Sequence, residues 1–128
     1  MLELEAEQFN DIVRQALAED IGTGDVTSMS LIPEDNQSSA TIVAREPLIV
    51  AGLALAKSSF LHIDKNLTVN HEVAEGDALM PASTLMRVEG CTQSILSAER
   101  TALNFLLHLS GIATLTSEYV AAINHTNA

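Results

Sequence analysis

The chain is short of cations: six Lys and Arg stand against 17 Asp and Glu, a formal net charge of −11 with His neutral. Nucleic acids and anionic membranes are held by cationic surface that displaces counterions, so this balance points away from both. Aromatic residues are scarce too. No Trp is present, and Phe9, Phe60, Phe105 and Tyr119 leave little for stacking on bases. A single cysteine, Cys91, excludes an intramolecular disulfide framework and a Cys-rich metal cluster. It fits a reducing, cytoplasmic setting. No uninterrupted apolar run approaches the ~20 residues of a membrane span. The first residues (MLELEAEQFNDIV) are acidic instead of basic-then-apolar, which argues against a signal peptide.

What the chain does have is apolar: 47% of its 128 residues are hydrophobic, which excludes a disordered chain. At this length about two-thirds of the unfolded surface can be buried, enough for one sound core. No internal repeat or low-complexity tract interrupts it. Leu2, Ala6, Phe9, Val13, Ala16 and Leu17 recur at helical spacing and predict an amphipathic helix over Leu2–Leu17. Two glycines and two aspartates in Asp20–Asp25 then predict a stop and tight turns. A polar loop runs through Pro33–Gln37. Thr41–Ala44 reads as a strand, and Leu48–Val50 resumes extended structure after Pro47. A short helix is expected over Leu53–Leu61. Leu67, Val69 and Val73 alternate with Thr68 and Asn70 as a half-buried strand, Glu75-Gly76-Asp77 turns, and Thr84–Val88 forms a strand closed by Glu89-Gly90. A strongly apolar helix over Gln93–Leu109 ends near Ser110-Gly111, and Ile112–Ile123 forms another helix or a helical linker. This order lacks the regular βα rhythm of a parallel sheet and predicts an α+β domain over 1–109. The sequence reaches Asn127-Ala128 without a compact final element, and residues 110–128 are expected to lead onward, as part of a longer protein.

The best chemical signal lies on the Gln93–Leu109 helix. At about 100° per residue, Gln93, Ser97, Arg100, Asn104, His108 and Gly111 fall within an arc of roughly 80°. Ile95, Ala98, Ala102, Phe105, Leu106 and Leu109 lie opposite, with Leu96, Leu103 and Leu107 on the flank. Such a stripe is either an ordinary solvated face or a row of polar groups aimed at a cleft. It holds no Glu and no Lys, the usual residues of a solvated helix, which favours the cleft. Its one permanent charge, Arg100, carries a planar fork suited to carboxylate or phosphate. Glu99 falls in the apolar arc and is expected to be partly buried and ion-paired.

Other patterns carry less. Asp20–Thr27 has the look of a phosphate cradle but lacks the Gly-Lys-[Ser/Thr] of a P-loop and the glycine spacing of a Rossmann turn. It is better read as structural, with Asp25 or Thr27 capping the next element. His62, His71, His108 and His125 show no metal-type spacing, so no metal site is assigned to this chain. Ser/His/Asp hydrolysis has no nucleophile elbow to support it.

Three segments carry a family resemblance: Glu99-Arg100-Thr101-Ala102-Leu103-Asn104-Phe105 running into His108-Leu109-Ser110-Gly111-Ile112-Ala113-Thr114; Glu19-Asp20-Ile21-Gly22-Thr23-Gly24-Asp25-Val26-Thr27-Ser28; and Ala44-Arg45-Glu46-Pro47 through Val50-Ala51-Gly52, then Glu75-Gly76-Asp77. The chain resembles the N-terminal part of the quinolinate phosphoribosyltransferases, the carboxylating nicotinate-nucleotide pyrophosphorylases, along nearly its whole length. That resemblance implies a hammerhead-like α+β domain preceding an α/β barrel that is absent here. It implies a homodimer in which each N-terminal domain covers the partner's barrel mouth. The implied reaction joins quinolinate to phosphoribosyl pyrophosphate and releases pyrophosphate and carbon dioxide, giving nicotinate mononucleotide for NAD synthesis. Mg²⁺ would be held with the phosphoribosyl pyrophosphate by the barrel. Arg100 would reach into the partner's site to hold a quinolinate carboxylate, with Asn104 and His108 on the same face. No catalytic residue is implied within this chain. Leu107 stands where Gln is common in the family.

Other readings stay open on the residues alone. A paralogous phosphoribosyltransferase, nicotinate-specific or associated with molybdenum transport, would share the architecture. The Val73–Asp77 turn resembles half of a biotinyl or lipoyl carrier, which needs a Lys at a hairpin tip; Lys57 and Lys65 fall in or just after the predicted helix. A free-standing dimerising interaction domain is the remaining alternative.

Overall fold

Residues 6–22 and 32–126 are described in this computed structural model. They run α1 (Ala6–Gly22), β1 (Gln37–Val43), β2 (Leu48–Ile49), α2 (Leu53–Ile63), β3 (Thr68–His71), β4 (Ala78–Leu79), β5 (Thr84–Cys91) and α3 (Thr92–Thr126). The α+β reading holds. β5 is the central strand of an antiparallel sheet ordered β1-β5-β3, and β2 pairs antiparallel with β4 in a separate two-stranded ribbon.

The core sits between the larger sheet and the helices. Val88 is matched by Ala40 on one side and Val69 on the other, so its side chain reaches the core at the sheet's centre. The register shifts between Ile42 and Val43, whose partners are Met86 and Thr84; Leu85 is the extra residue of a bulge. Leu85 and Met86 are therefore both buried where strict alternation would expose one of them. Leu53, Ala56 and Phe60 of α2 meet Ile95, Ala98, Ala102 and Leu106 of α3 across the same core. α1 packs against both helices and buries Val13 and Leu17.

Several boundaries differ from expectation. α1 runs through Asp20–Gly22, where a stop is predicted; Leu2–Glu5 and the suggested caps Asp25 and Thr27 lie outside the described residues. β1 begins at polar Gln37, because its edge is held by backbone pairing of Gln37, Ser38 and Ser39 with Cys91, Gly90 and Glu89, which needs no apolar pattern. α3 does not end at Ser110-Gly111 but continues without a break to Thr126. Thr92–Ile123 is by length and composition apolar enough to cross a membrane, at a mean hydropathy of 1.2. The unbroken apolar run is missing from the sequence because Glu99, Arg100, Asn104, His108, Ser110 and Gly111 interrupt it, and the inner face of the helix as far as Leu106 forms part of the core.

Candidate functional site

Three stretches of the family-like sequence meet at one joint: Val50–Gly52, Glu75–Asp77 and the Ser110–Thr114 turn. Gly52, at the start of α2, has φ +92°, a conformation open to glycine. A Cβ there would stand 3.0 Å from Leu109 Cδ1 and 3.1 Å from the Phe105 carbonyl oxygen, so α2 begins pressed against α3. The first N–H groups of that helix need acceptors. Glu75 supplies them: Oε2 accepts the Gly52 N–H at 2.9 Å and Oε1 the Leu53 N–H at 3.1 Å. The Glu75-Gly76-Asp77 turn is in turn stitched to Val50, whose carbonyl accepts from Gly76 at 2.8 Å and whose N–H donates to Asp77 O at 3.0 Å. Asp77 Oδ2 closes the turn on the Ala74 N–H at 2.9 Å. From α3, Ser110 and Thr114 bond to Ala51 and Ile49. Sequence patterns alone give these residues no role. The available signals are an acidic turn facing a helix start, and two hydroxyls one turn apart beside a strand.

The polar stripe of α3 splits in two. Gln93 and Ser97 are half-buried and engaged: Gln93 Nε2 donates to Ile32 O, and Ser97 Oγ donates to Gln93 O at 2.9 Å. Arg100, Asn104 and His108 are exposed, and none makes a hydrogen bond or ion pair among the described residues. Asn104 and His108 line a shallow cleft of about 610 Å³ between α1 and α3, together with Glu19, Thr101 and Phe105. Arg100 is not among its lining residues, so within one chain the stripe does not converge on a single cavity. Glu99 is half-buried as expected but has no ion-pair partner among the described residues. Arg87 and Arg14 are paired with Glu72 and Asp11.

A larger, mostly apolar groove of about 860 Å³ runs between Ile42–Leu48 and the outer face of α3 from Leu103 to Glu118. Leu115 at its far end is exposed, and beyond it the helix bears Tyr119, Val120 and Ile123 exposed. Among the described residues no three His, Cys, Asp or Glu side chains come together as a metal site. Cys91 is free, and its thiol is pulled below the ordinary value chiefly by the backbone N–H of Ser94 at the start of α3. Lys57 lies within α2 and Lys65 in the turn after it, not at a hairpin tip.

Known proteins share both sequence and shape with this chain. A carboxylating nicotinate-nucleotide pyrophosphorylase of Arabidopsis thaliana, named chloroplastic, is 45% identical over 106 residues, 82% of this chain and 30% of its own length. A quinolinate phosphoribosyltransferase of Nicotiana tabacum, named mitochondrial, is 42% identical over 115 residues, 89% of this chain and 33% of its own. A probable nicotinate-nucleotide pyrophosphorylase of Bacillus subtilis is 37% identical over 117 residues, covering 91% and 40%. The solved nicotinate-nucleotide pyrophosphorylase of Francisella tularensis superposes with a TM-score of 0.88 at 33% identity, over 96% of this chain and 43% of that one. This chain thus spans about a third of the plant relatives' length. The profile described as "Quinolinate phosphoribosyl transferase, N-terminal domain" matches residues 25–110, and the chain belongs to that family.

Proposed function

We propose that this chain is the substrate-covering N-terminal part of an enzyme that converts quinolinate and phosphoribosyl pyrophosphate to nicotinate mononucleotide, pyrophosphate and CO₂ in NAD biosynthesis. Family membership and the names of the relatives support the reaction. The observation that carries a role for this domain is the Arg100 guanidinium: exposed, unpaired among the described residues, and set on a helix anchored in the core. In a homodimer whose domains each cover the partner's barrel, Arg100 grips a quinolinate carboxylate in the partner's site. Asn104 and His108 offer neutral hydrogen-bonding groups on the same face. A charged fork against a carboxylate in a closed site holds the pyridine ring for attack on the sugar's anomeric carbon. Residues 1–109 form the domain proper and 110–128 the connection towards the barrel.

Mg²⁺, in this reading, accompanies phosphoribosyl pyrophosphate in the barrel and neutralises the departing pyrophosphate; no residue of this chain is assigned to it. The compartment belongs to the same proposal: Cys91 as a free thiol suits the cytoplasm, while the plant relatives are named for organelles. A nicotinate-specific or molybdenum-transport paralogue gains no support from the relatives' names.

Arg100→Ala in the whole enzyme, this domain together with its barrel, tests the reading. Loss of a charge-assisted contact costs about 1.5–3 kcal/mol. The expected result is a KM for quinolinate roughly 10- to 100-fold higher, with phosphoribosyl pyrophosphate far less affected. Steady-state constants for quinolinate equal to those of the parent enzyme overturn it.

A further inference from the structure

The second half of α3 is fastened to the domain by hydroxyl groups as well as by apolar packing. β2 is two residues long and pairs with β4 on one side only; α3 lies against it. Ser110 Oγ accepts the Ala51 N–H at 2.9 Å and donates to the Ala51 carbonyl at 3.1 Å. One turn on, Thr114 Oγ1 accepts the Ile49 N–H at 2.9 Å and donates to Ser110 O at 2.7 Å. The two hydroxyls stand where a neighbouring strand would stand, meeting the free backbone groups of Ile49 in β2 and of Ala51 just beyond it. Ser110 is only 4% exposed, so its hydroxyl depends on this pairing for satisfaction.

The place of this clip matters. Upstream, Ile95, Ala98, Ala102 and Leu106 bury the inner face of α3. Downstream, positions 115–123 are all exposed. Residues 110–114 are therefore the last turn that the domain holds. Apolar contact is non-directional, whereas hydrogen bonds weaken steeply off-axis. Two such bonds one turn apart set both the tilt and the rotation of the departing helix.

We propose that Ser110 and Thr114 are positioning residues: their clip on the edge of β2 sets the direction in which α3 leaves the domain, and thereby how Arg100 enters the partner subunit's pocket. This rests on the role given to Arg100 above. A misplacement near 1 Å at a reacting site can cost about 100-fold in rate, so a loosened exit angle is felt at the substrate without any change in the arginine itself.

The test uses Thr114→Val, which keeps the branched shape and loses the hydroxyl, with Thr114→Ser, which keeps the hydroxyl, and Ser110→Ala. In the whole enzyme, Thr114→Val and Ser110→Ala are expected to raise the KM for quinolinate about tenfold or more and leave that for phosphoribosyl pyrophosphate unchanged, while Thr114→Ser behaves as the parent. Parent-like quinolinate constants in Thr114→Val, equal loss for both substrates, or failure of Thr114→Ser overturn the proposal. Arg100→Ala assayed alongside separates the two ideas. If it impairs quinolinate and Thr114→Val does not, only the positioning role falls; if Arg100→Ala is without effect, both fall. A second measurement needs no catalysis. With Cys91→Ser removing the native thiol, spin labels on Asn70→Cys and Glu118→Cys report the angle between β3 and the departing helix in the 1–128 chain. The clip predicts a narrow distance distribution that broadens in Thr114→Val and Ser110→Ala; identical distributions overturn it.

Discussion

Both carboxylate oxygens of Glu75 accept backbone N–H groups at the start of α2, although the residue itself is exposed. A helix cap of this kind is worth about 0.5–2 kcal/mol. Glu75→Ala is therefore expected to lower Tm by several degrees, and Glu75→Gln, which keeps one oxygen, by less; differential scanning calorimetry of the two variants gives the ranking. Gly52 is constrained from both directions, by φ +92° and by the Leu109 methyl and Phe105 carbonyl that an added Cβ would meet. Cys91 gives a pH-dependent readout. Its thiol is pulled down first by the Ser94 backbone N–H, then by the Ser94 hydroxyl and the Gln93 N–H, all of which favour the thiolate. A depressed thiol value in the folded chain means stability that is present at high pH and fades as pH falls through the folded value. Alkylation by iodoacetamide should therefore rise at lower pH in native protein than in guanidinium chloride, and coincident profiles would remove the Ser94 contact as its cause.

At the scale of elements, α3 shows what a pattern can and cannot reveal. Ile95, Ala98, Ala102 and Leu106 are readable as an inner face because they repeat at helical spacing, and all four are buried. The continuation past Gly111 is not readable. A glycine lowers helix propensity by only about 1 kcal/mol, too little to break a helix of 35 residues that Ser110 and Thr114 fasten on either side of it. Nothing lies within 4 Å of a Cβ built on Gly111. Gly111→Ala should thus stabilise the 1–128 chain by about 0.5–1 kcal/mol, seen as a higher urea midpoint at an unchanged slope. β1 is recognisable in the sequence only from Thr41, because its first residues are polar and are held by the ladder with β5. The stripe of Arg100, Asn104 and His108 is legible as one face, while the cleft beside it depends on α1 packing across α3, which no local pattern encodes.

For the molecule as a whole, electrostatics sets the limit. Quinolinate and phosphoribosyl pyrophosphate together carry about seven negative charges at neutral pH, and the chain has six Lys and Arg within a net charge of −11. Two of those cations are already paired with acids. The 1–128 chain alone should form no nicotinate mononucleotide and release no heat on titration with either compound; measurable turnover by it would contradict the division of labour with a barrel. The unbroken α3 also makes this small domain a lever. At 1.5 Å per residue its far end stands about 24 Å beyond Ser110, so a five-degree swing there moves the tip by about 2 Å. Insertion of one residue between Arg100 and Ser110 would turn the arginine by about 100° against the hinge point. The count of residues between them is then as closely constrained as their chemistry.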